Sequence, residues 1–235
     1  MEKHLLKKRI DAAAGRIPAD IVIENCKIID VYNSSIIEGK SIAIVDGCIA
    51  GVGDYKGRHT IDAKGRYAAP GFIDGHIHIE SSFVTPEEIG RLLIPHGTTT
   101  IIADPHEIVN VCGMDGMNYM LEASKGTELD IRYMLPSCVP ATPYENAGAV
   151  LDAERMREPI KDTRILGLGE FMNYPGVVEA NDDVLDKLLI AINEGKIIDG
   201  HSPFLAGNEL NAYAVCGIRT DHECTTIEEM LDRLS

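Results

Sequence analysis

The chain has 235 residues, enough to bury the core of one large domain or two smaller ones. It carries 37 acidic side chains against 22 basic ones, a formal net charge of −15, so it repels polyanions and nucleic acid is not expected as a partner. The start, MEKHLLKKRIDAAAG, lacks the apolar core of a secretion signal, and no stretch approaches the roughly 18 apolar residues of a membrane span.

The cysteines indicate a reducing compartment. Six of them are scattered along the chain without a C-x-x-C pair, a spacing that is typical of free thiols in cytoplasmic proteins. We therefore predict a cytoplasmic location. They are Cys26, Cys48, Cys112, Cys138, Cys216 and Cys224.

The first predicted elements are short strands between residues 20 and 69. β-Branched residues alternate or cluster there, and Asp-Gly and Lys-Gly turns interrupt them. The segments are DIVIENCKIID, KSIAIVDGCIAGVG and HTIDAKGRYAAPG. This pattern predicts a small antiparallel β unit, and we assign residues 1–69 to an N-terminal segment and part of a β-sandwich domain.

From residue 71 onward, strand and helix patterns alternate. Apolar runs separated by helix-compatible sequence are typical of βα units that form a parallel sheet covered by helices. The runs lie near residues 71–77, 98–103, 131–135, 165–169, 197–199 and 215–220. A closed barrel needs eight strands in about 250 residues. Residues 70–235 are therefore predicted to form an α/β fold, a TIM-type (β/α)8 barrel truncated after about six βα units.

The starts of three helices are also visible. The sequence TPEE, which begins at Thr85, combines an N-cap threonine, a proline at the first helical position and a glutamate at the third, which is a capping box. Asn181 is predicted to cap a second helix, and Thr225 to open a third. In the first helix, the residues predicted to face inward are Ile89, Leu92 and Leu93.

The segment PGFIDGHIHIE, residues 70–80, carries the first candidate metal ligands. Side chains at positions i and i+2 of a strand point to the same face, so His76 and His78 converge. Imidazoles suit borderline metals, and barrel strands present their last residues to the mouth of the active site. A hydrogen-bonded pair of core histidines is the alternative. The position after GFIDG and before a capped helix favours the metal site.

Three more histidines follow apolar strand candidates. His106, His201 and His222 lie in TTTIIADPHE, KIIDGHSP and CGIRTDHE, respectively. Because parallel strands end at the same edge of a sheet, their recurrence in successive βα units predicts one metal-binding mouth.

Glu170 supplies a candidate carboxylate ligand. It ends RILGLGE, the fourth strand candidate, in which Gly167 and Gly169 allow other groups to approach closely. A helix-start glutamate or a surface charge is the alternative. Opposite two pairs of histidines, we prefer a carboxylate that bridges two cations about 3.5–4 Å apart.

These motifs together resemble the adenine deaminases of the amidohydrolase superfamily. The resemblance runs from the β segment near residue 20 to the last residues. It rests on APGFIDGHIHIESS, GTTTIIADPHEIVNVCG, LGLGEFMNYPGVV and DGHSPFLAGNELNAYAVCGIRTDHECTT. The H-x-H signature indicates only the superfamily, whereas ADPHEIVNV and the Glu-Phe-Met-Asn segment are specific to the family.

The resemblance implies a binuclear divalent metal centre. His76 and His78 would bind one ion and His201 and His222 the other, while Glu170 would bridge them in place of the carboxylated lysine of many superfamily members. The implied reaction is attack of a metal-bridging hydroxide on C6 of adenine, which yields hypoxanthine and ammonia in purine salvage. Manganese or iron is the implied metal, and zinc is a third candidate.

Further polar residues follow the second and last strand candidates. Asp104 and two catalytic candidates, His106 and Glu107, are expected to orient the metal ligands or contact the purine; a helix cap formed by Asp104 is the alternative. Asp221 and Glu223 are candidates to fix a histidine tautomer, with solvated loop charges as the alternative.

Two other interpretations remain open. One is a different amidohydrolase, acting on a cyclic amide or an N-acetyl sugar, and the other is a catalytically inactive truncated fragment. The resemblance implies a metal-binding, proton-donating aspartate at the end of an eighth strand, beyond the six strand candidates. We therefore expect these 235 residues alone to be inactive. The expected partner is adenine, with no membrane partner, and the sequence leaves a homo-oligomer open.

Overall fold

The computed structural model describes residues 2–142 and 144–235. The chain divides into two compact units, Met1–Pro70 and Gly71–Ser235. Among the described residues, no helix is both long enough and apolar enough to cross a lipid bilayer.

The first unit combines a helix with two small sheets. Its elements are α1 (Lys3–Ala13), β1 (Ala19–Glu24), β2 (Lys27–Asp30), β3 (Ser35–Ile37), β4 (Ser41–Val45), β5 (Cys48–Gly53), β6 (Gly57–Asp62) and β7 (Tyr67–Ala68). One sheet has the strand order β5-β4-β1-β6 and the other β3-β2-β7. Small apolar side chains, among them Ala12, Val22 and Ala43, form one core of this unit.

The antiparallel prediction for this unit is wrong for two strand pairs. β1 pairs antiparallel with β4 but parallel with β6, and β2 pairs parallel with β7. Parallel neighbours need a long crossover connection, because a tight hairpin can only reverse the chain. Residues 25–56 supply that connection between β1 and β6, and the local turn pattern does not reveal it.

The second unit contains a parallel sheet. Its strands are β8 (Phe72–Ile77), β9 (Thr98–Ala103), β10 (Asp130–Leu135), β11 (Ile165–Phe171), β12 (Ile197–Gly200) and β13 (Thr220–Asp221). They lie side by side in chain order, all parallel, with β8 and β13 at the two edges. This arrangement confirms the predicted barrel-type sheet of βα units.

Helices connect these strands and cover the sheet. They are α2 (Pro86–Leu93), α3 (His106–Cys112), α4 (Met114–Ala123), α5 (Ala153–Met156), α6 (Tyr174–Val178), α7 (Asp182–Asn193), α8 (Gly207–Val215) and α9 (Ile227–Leu234). Apolar strand residues such as Ile101, Leu168 and Ile198 pack in one core with helix residues such as Met117 and Leu188. Burial of this shared apolar surface holds the helices on the sheet.

The last strand is shorter than predicted. Of the run near residues 215–220, only Thr220 belongs to β13, which continues to Asp221. Val215 is still part of α8, and Gly217 turns the chain with a φ of +87°. An apolar run cannot distinguish a helix end from a strand start, which explains the error.

The helix starts differ from prediction in their hydrogen bonds. Thr85 is the N-cap residue of α2, but its side chain makes no cap hydrogen bond, and Glu88 accepts from Arg91 instead. Asn181 likewise precedes α7 without a side-chain cap bond. Thr226, rather than the predicted Thr225, caps α9, because its side-chain oxygen accepts a hydrogen bond from the backbone N–H of Glu229. In α2, Ile89 is buried, Leu93 is half-buried, and Leu92 is exposed, so the inward prediction was wrong for Leu92.

The sheet curves strongly at the carboxyl ends of its strands. The imidazole rings of His76 in β8 and His222 after β13 are stacked, with centroids 3.6 Å apart. Because these two strands form opposite edges of the sheet, the contact requires the sheet to curl until side chains from its two edges meet at this end. All the strand-end side chains therefore face a common space.

Candidate metal centre

Four strand ends contribute the five predicted ligands. His76 lies in β8 and His78 immediately after it, Glu170 lies in β11, His201 follows β12, and His222 follows β13. The structure brings all five together. We call His76 and His78 the first pair, and His201 and His222 the second pair.

The first pair converges as the strand pattern predicts. His76 Nε2 lies 3.0 Å from His78 Nε2, and the two rings meet edge to face. The carboxylate of Glu170 faces both rings, with Oε2 at 3.8 Å from His76 Nε2 and Oε1 at 3.7 Å from His78 Nε2. Two nitrogen lone pairs and a carboxylate thus point at one location, which suits a cation.

The second pair contacts the same carboxylate from the other side. Glu170 Oε2 lies 2.9 Å from His201 Nδ1 and 3.2 Å from His222 Nε2, and these two nitrogens are 3.4 Å apart. Glu170 is therefore shared by both histidine pairs, which is the arrangement that a bridging ligand requires.

Glu170 is ionised in this environment. Its side chain is 5% exposed, and burial alone would raise its pKa. Contacts with His106, His201 and His222 outweigh burial and hold the pKa well below its usual range. Burial disfavours the charged form of His222 as well, which lowers its pKa, but Asp199 and Glu170 outweigh burial and raise the pKa to about 10. In the metal-free centre, His222 is thus an imidazolium beside the ionised Glu170.

Asp104 supports the ligands and does not cap a helix. Its Oδ2 accepts a hydrogen bond of 2.9 Å from the Glu170 N–H, and its carbonyl accepts one of 2.8 Å from His78 Nδ1. The N-cap of α3 is Pro105, which has no side-chain cap bond, so the capping alternative for Asp104 was wrong. Asp104 is 1% exposed, and burial raises its pKa to about 7.

His106 and Glu107 open α3 at the edge of the centre. His106 Nδ1 lies 2.9 Å from Glu170 Oε1, and although burial opposes protonation, the neighbouring carboxylates raise the pKa of His106 to about 9. Glu107 Oε2 lies 3.6 Å from His78 Nδ1. Both side chains therefore adjoin the predicted ligands.

Asp199 is a member of the centre that the sequence analysis missed. Its Oδ2 lies 3.1 Å from His76 Nδ1 and 3.5 Å from His222 Nδ1. A carboxylate on one imidazole nitrogen fixes the tautomer and leaves the other nitrogen free for a metal. The signal was present, because Asp199 lies in β12 two residues before His201, which directly follows that strand, and side chains two residues apart on an extended chain share a face.

The two residues predicted to fix a histidine tautomer have different positions. Asp221 is paired with Arg233 Nε at 3.1 Å and accepts a hydrogen bond from Ser202, so the prediction that it contacts a histidine was wrong. Glu223 Oε1 lies 3.7 Å from His201 Nδ1. Glu223 therefore faces the second pair directly.

Tight packing beneath the centre depends on the two strand glycines. A Cβ atom at Gly169 would overlap the Asp104 carboxylate, and one at Gly167 would overlap the Ile197 carbonyl. This confirms the prediction that both glycines permit close approach.

The donor set fits divalent metal ions. Three groups of three ligand atoms, each within 4.8 Å of one another, share Glu170: one contains the first pair, one the second pair, and one Asp104 and His106. Two buried carboxylate oxygens beside the ligands, Asp104 Oδ1 and Glu107 Oε2, have no hydrogen-bond partner among the described residues. Imidazole nitrogens and carboxylate oxygens are ligands that suit zinc, manganese or iron.

The chain is similar over its whole length to curated adenine deaminases. It is 61% identical over 235 residues to adenine deaminase 2 of Desulfotalea psychrophila, covering 100% of this chain and 41% of that relative. It is 54% identical over 231 residues to an adenine deaminase of Nitratidesulfovibrio vulgaris, covering 98% and 40%, respectively. The chain thus spans about 40% of the length of these relatives.

Solved structures and a family model agree on the fold. Atrazine chlorohydrolase TrzN from Arthrobacter aurescens TC1, solved as a complex with zinc, superposes with a TM-score of 0.65 at 13% sequence identity, covering 91% of this chain and 63% of that one. The model of the amidohydrolase family matches residues 67–235. The parallel sheet, the strand-end histidines and this match together show that the chain belongs to the amidohydrolase family.

Proposed function

We propose that the chain forms the metal-binding part of an adenine deaminase. The observation that carries the proposal is the single buried carboxylate of Glu170, shared by two histidine pairs at the ends of parallel strands. The two adenine deaminases that are 61% and 54% identical to the chain support adenine as the substrate. The reaction would replace the C6 amino group of adenine with oxygen from water, giving hypoxanthine and ammonia.

The roles proposed for the ligands follow from their contacts. His76 and His78 would hold one divalent ion, His201 and His222 the other, and Glu170 would contact both. Membership of the amidohydrolase family supports a divalent metal, and we propose manganese or iron, with zinc as the third candidate. When bound, such a pair supplies Lewis acidity and makes water a better nucleophile near neutral pH by lowering its pKa.

The remaining residues of the centre orient the imidazoles and hold protons. Asp199 accepts at His76 Nδ1 and the Asp104 carbonyl accepts from His78 Nδ1, so both Nε2 atoms are left facing Glu170. We propose that His106 holds a proton at Nδ1 beside Glu170 Oε1. Glu107, the next residue of α3, would help to keep His106 protonated.

The proposal also covers the class of substrate, the location in the cell and the division into domains. A small purine suits an acidic chain with a net charge of −15 better than a nucleic acid does. A cytoplasmic location is proposed from the scattered, free cysteines. A domain division into residues 1–69 and 70–235, with the metal site in the second, completes the proposal.

The test is a chimera in which this chain replaces the matching 41% of the Desulfotalea psychrophila relative. Incubated with adenine and manganese, the chimera should shift the ultraviolet spectrum to that of hypoxanthine and release one ammonia per purine. Turnover of a cyclic amide or N-acetyl sugar, but not of adenine, would indicate a different amidohydrolase.

A further inference from the structure

The hydroxyl group of Tyr213 joins two segments that carry predicted metal ligands. Tyr213 lies on α8 and is 2% exposed. Its hydroxyl donates to the carbonyl of Phe171 at 2.8 Å and accepts from the backbone N–H of His201 at 3.0 Å. The same oxygen therefore acts as donor to the end of β11 and as acceptor at the end of β12.

This link lies where the strand ladder ends. β11 and β12 pair through Leu168 and Ile198, the register then shifts, and their last pairing joins Phe171 to Gly200. His201 comes one residue later. The Tyr213 hydroxyl thus supplies a connection between the two strands just beyond the final ladder pairing.

The geometry points to Tyr213 as a positioning residue for the second histidine pair. Phe171 follows Glu170 directly, so the hydroxyl ties the backbone beside the shared carboxylate to the backbone of His201. The side chains of Glu170 and His201 approach to 2.9 Å, and this spacing depends on the relative position of the two strand ends. The inference rests on the proposed metal centre and adds a residue that does not itself contact an ion.

Packing around Tyr213 supports the same role. A Cβ atom at Gly200 would lie 3.2 Å from Tyr213 Cε1, so the ring packs closely against the end of β12. Replacing the tyrosine with phenylalanine keeps this packing and removes only the hydroxyl. The Phe171 carbonyl and the His201 N–H then lose their common partner.

Tyr133 provides a matched control in the same unit. It lies on β10, is 1% exposed, and its hydroxyl is 2.6 Å from Ser124 Oγ and 3.1 Å from the Met120 carbonyl. Tyr133→Phe therefore also removes a buried hydroxyl with two hydrogen-bond partners. Neither partner is a predicted ligand or its neighbour.

The experiment is a manganese titration of the chelator-treated 235-residue chain, with the absorption spectrum of bound cobalt as a second readout. Both variants should lower the melting temperature of the metal-free chain by a comparable amount, about 2–8 °C. Only Tyr213→Phe should weaken the binding of one ion, by about 10–100-fold, and change the cobalt spectrum. Tyr213→Phe should weaken ion binding by the same factor when it is combined with His76→Ala, which removes one ligand of the first pair.

Three results would overturn the inference. The first is binding of both ions by Tyr213→Phe with wild-type affinity. The second is an equal loss of binding in Tyr133→Phe, which would indicate a general effect of stability. The third is binding of fewer than two ions by the wild-type chain, which would also refute the metal centre. Failure of the adenine assay in a chimera that still binds two ions would refute the proposed substrate alone. The titration and the adenine assay thus separate the two proposals.

Discussion

Replacement of Glu170 with glutamine tests the metal centre most directly. The change is nearly isosteric and removes one negative charge from a side chain that is 5% exposed. Its two oxygens lie within 3.8 Å of imidazole nitrogens from five histidines. Glutamine retains one carbonyl oxygen but presents an amide N–H₂ group, which cannot bind a cation, in place of the other.

The size of the effect follows from the burial of this charge. Removing one partner of a buried charge pair costs roughly 3–5 kcal/mol, and about 1.4 kcal/mol corresponds to a tenfold change in a binding constant. Because Glu170 contacts both histidine pairs, the loss affects both ions. We expect the affinity for the more weakly held ion to fall at least about 100-fold.

The assay measures manganese bound after dialysis and the dissociation constants by calorimetric titration. Glu154→Gln is the matched control, because this exposed carboxylate pairs with Arg157 at 2.8 Å and lies on α5 outside the predicted ligand set. Circular dichroism checks that both variants fold. A folded Glu170→Gln variant that binds two ions as tightly as the wild type would refute the bridging role.

Two further predictions concern packing and pH. A Cβ atom at Gly169 would overlap the buried Asp104 carboxylate, so Gly169→Ala should lower the free energy of unfolding, measured by urea denaturation, by about 1–3 kcal/mol. Gly75→Ala is the control and should not lower it, because a Cβ atom at Gly75 meets nothing within 4 Å. Equal losses in the two variants would exclude crowding as the cause. In the metal-free chain, the pKa values of His106 and His222 are raised from 6.5 to about 9 and about 10, respectively. The contribution of these two histidines to stability is therefore complete below pH 6.5 and disappears as the pH rises through the raised pKa values. Scanning fluorimetry should therefore show a falling melting temperature across this window, and a flat or rising curve would contradict the protonated cluster.

The convergence of the candidate ligands could be predicted because it follows from one regularity of the fold. Parallel strands end at the same edge of a sheet, so histidines after successive apolar runs must approach one another. The pair His76 and His78 needed only the two-residue period of a strand. Glu170 was recognisable from the glycine-rich strand in which it lies. Each of these inferences uses local sequence together with a known topology.

Contacts set by distant parts of the chain were not predictable in this way. Asp199 contacts a histidine that is 123 residues away in the sequence, and nothing in its own segment specifies which ring it meets. In the sequence, Tyr213 looks like an ordinary residue on the apolar face of α8. The positioning role that we propose for it depends on where the pairing of β11 with β12 ends. Asp221 was assigned to a histidine because it is adjacent in sequence, but Arg233 from the following helix pairs with it.

The stacking of His76 on His222 has a consequence for how the protein matures. His76 lies in β8 and His222 directly follows β13, the two edge strands of the described sheet, so the contact between their rings depends on the pairing of the strands between them. Contacts of such large sequence separation form late and slowly in folding. An ion that binds only the completed cluster stabilises the folded state in proportion to its concentration and opposes fraying of both edge strands at once. Metal loading would therefore report that the six described strands have paired.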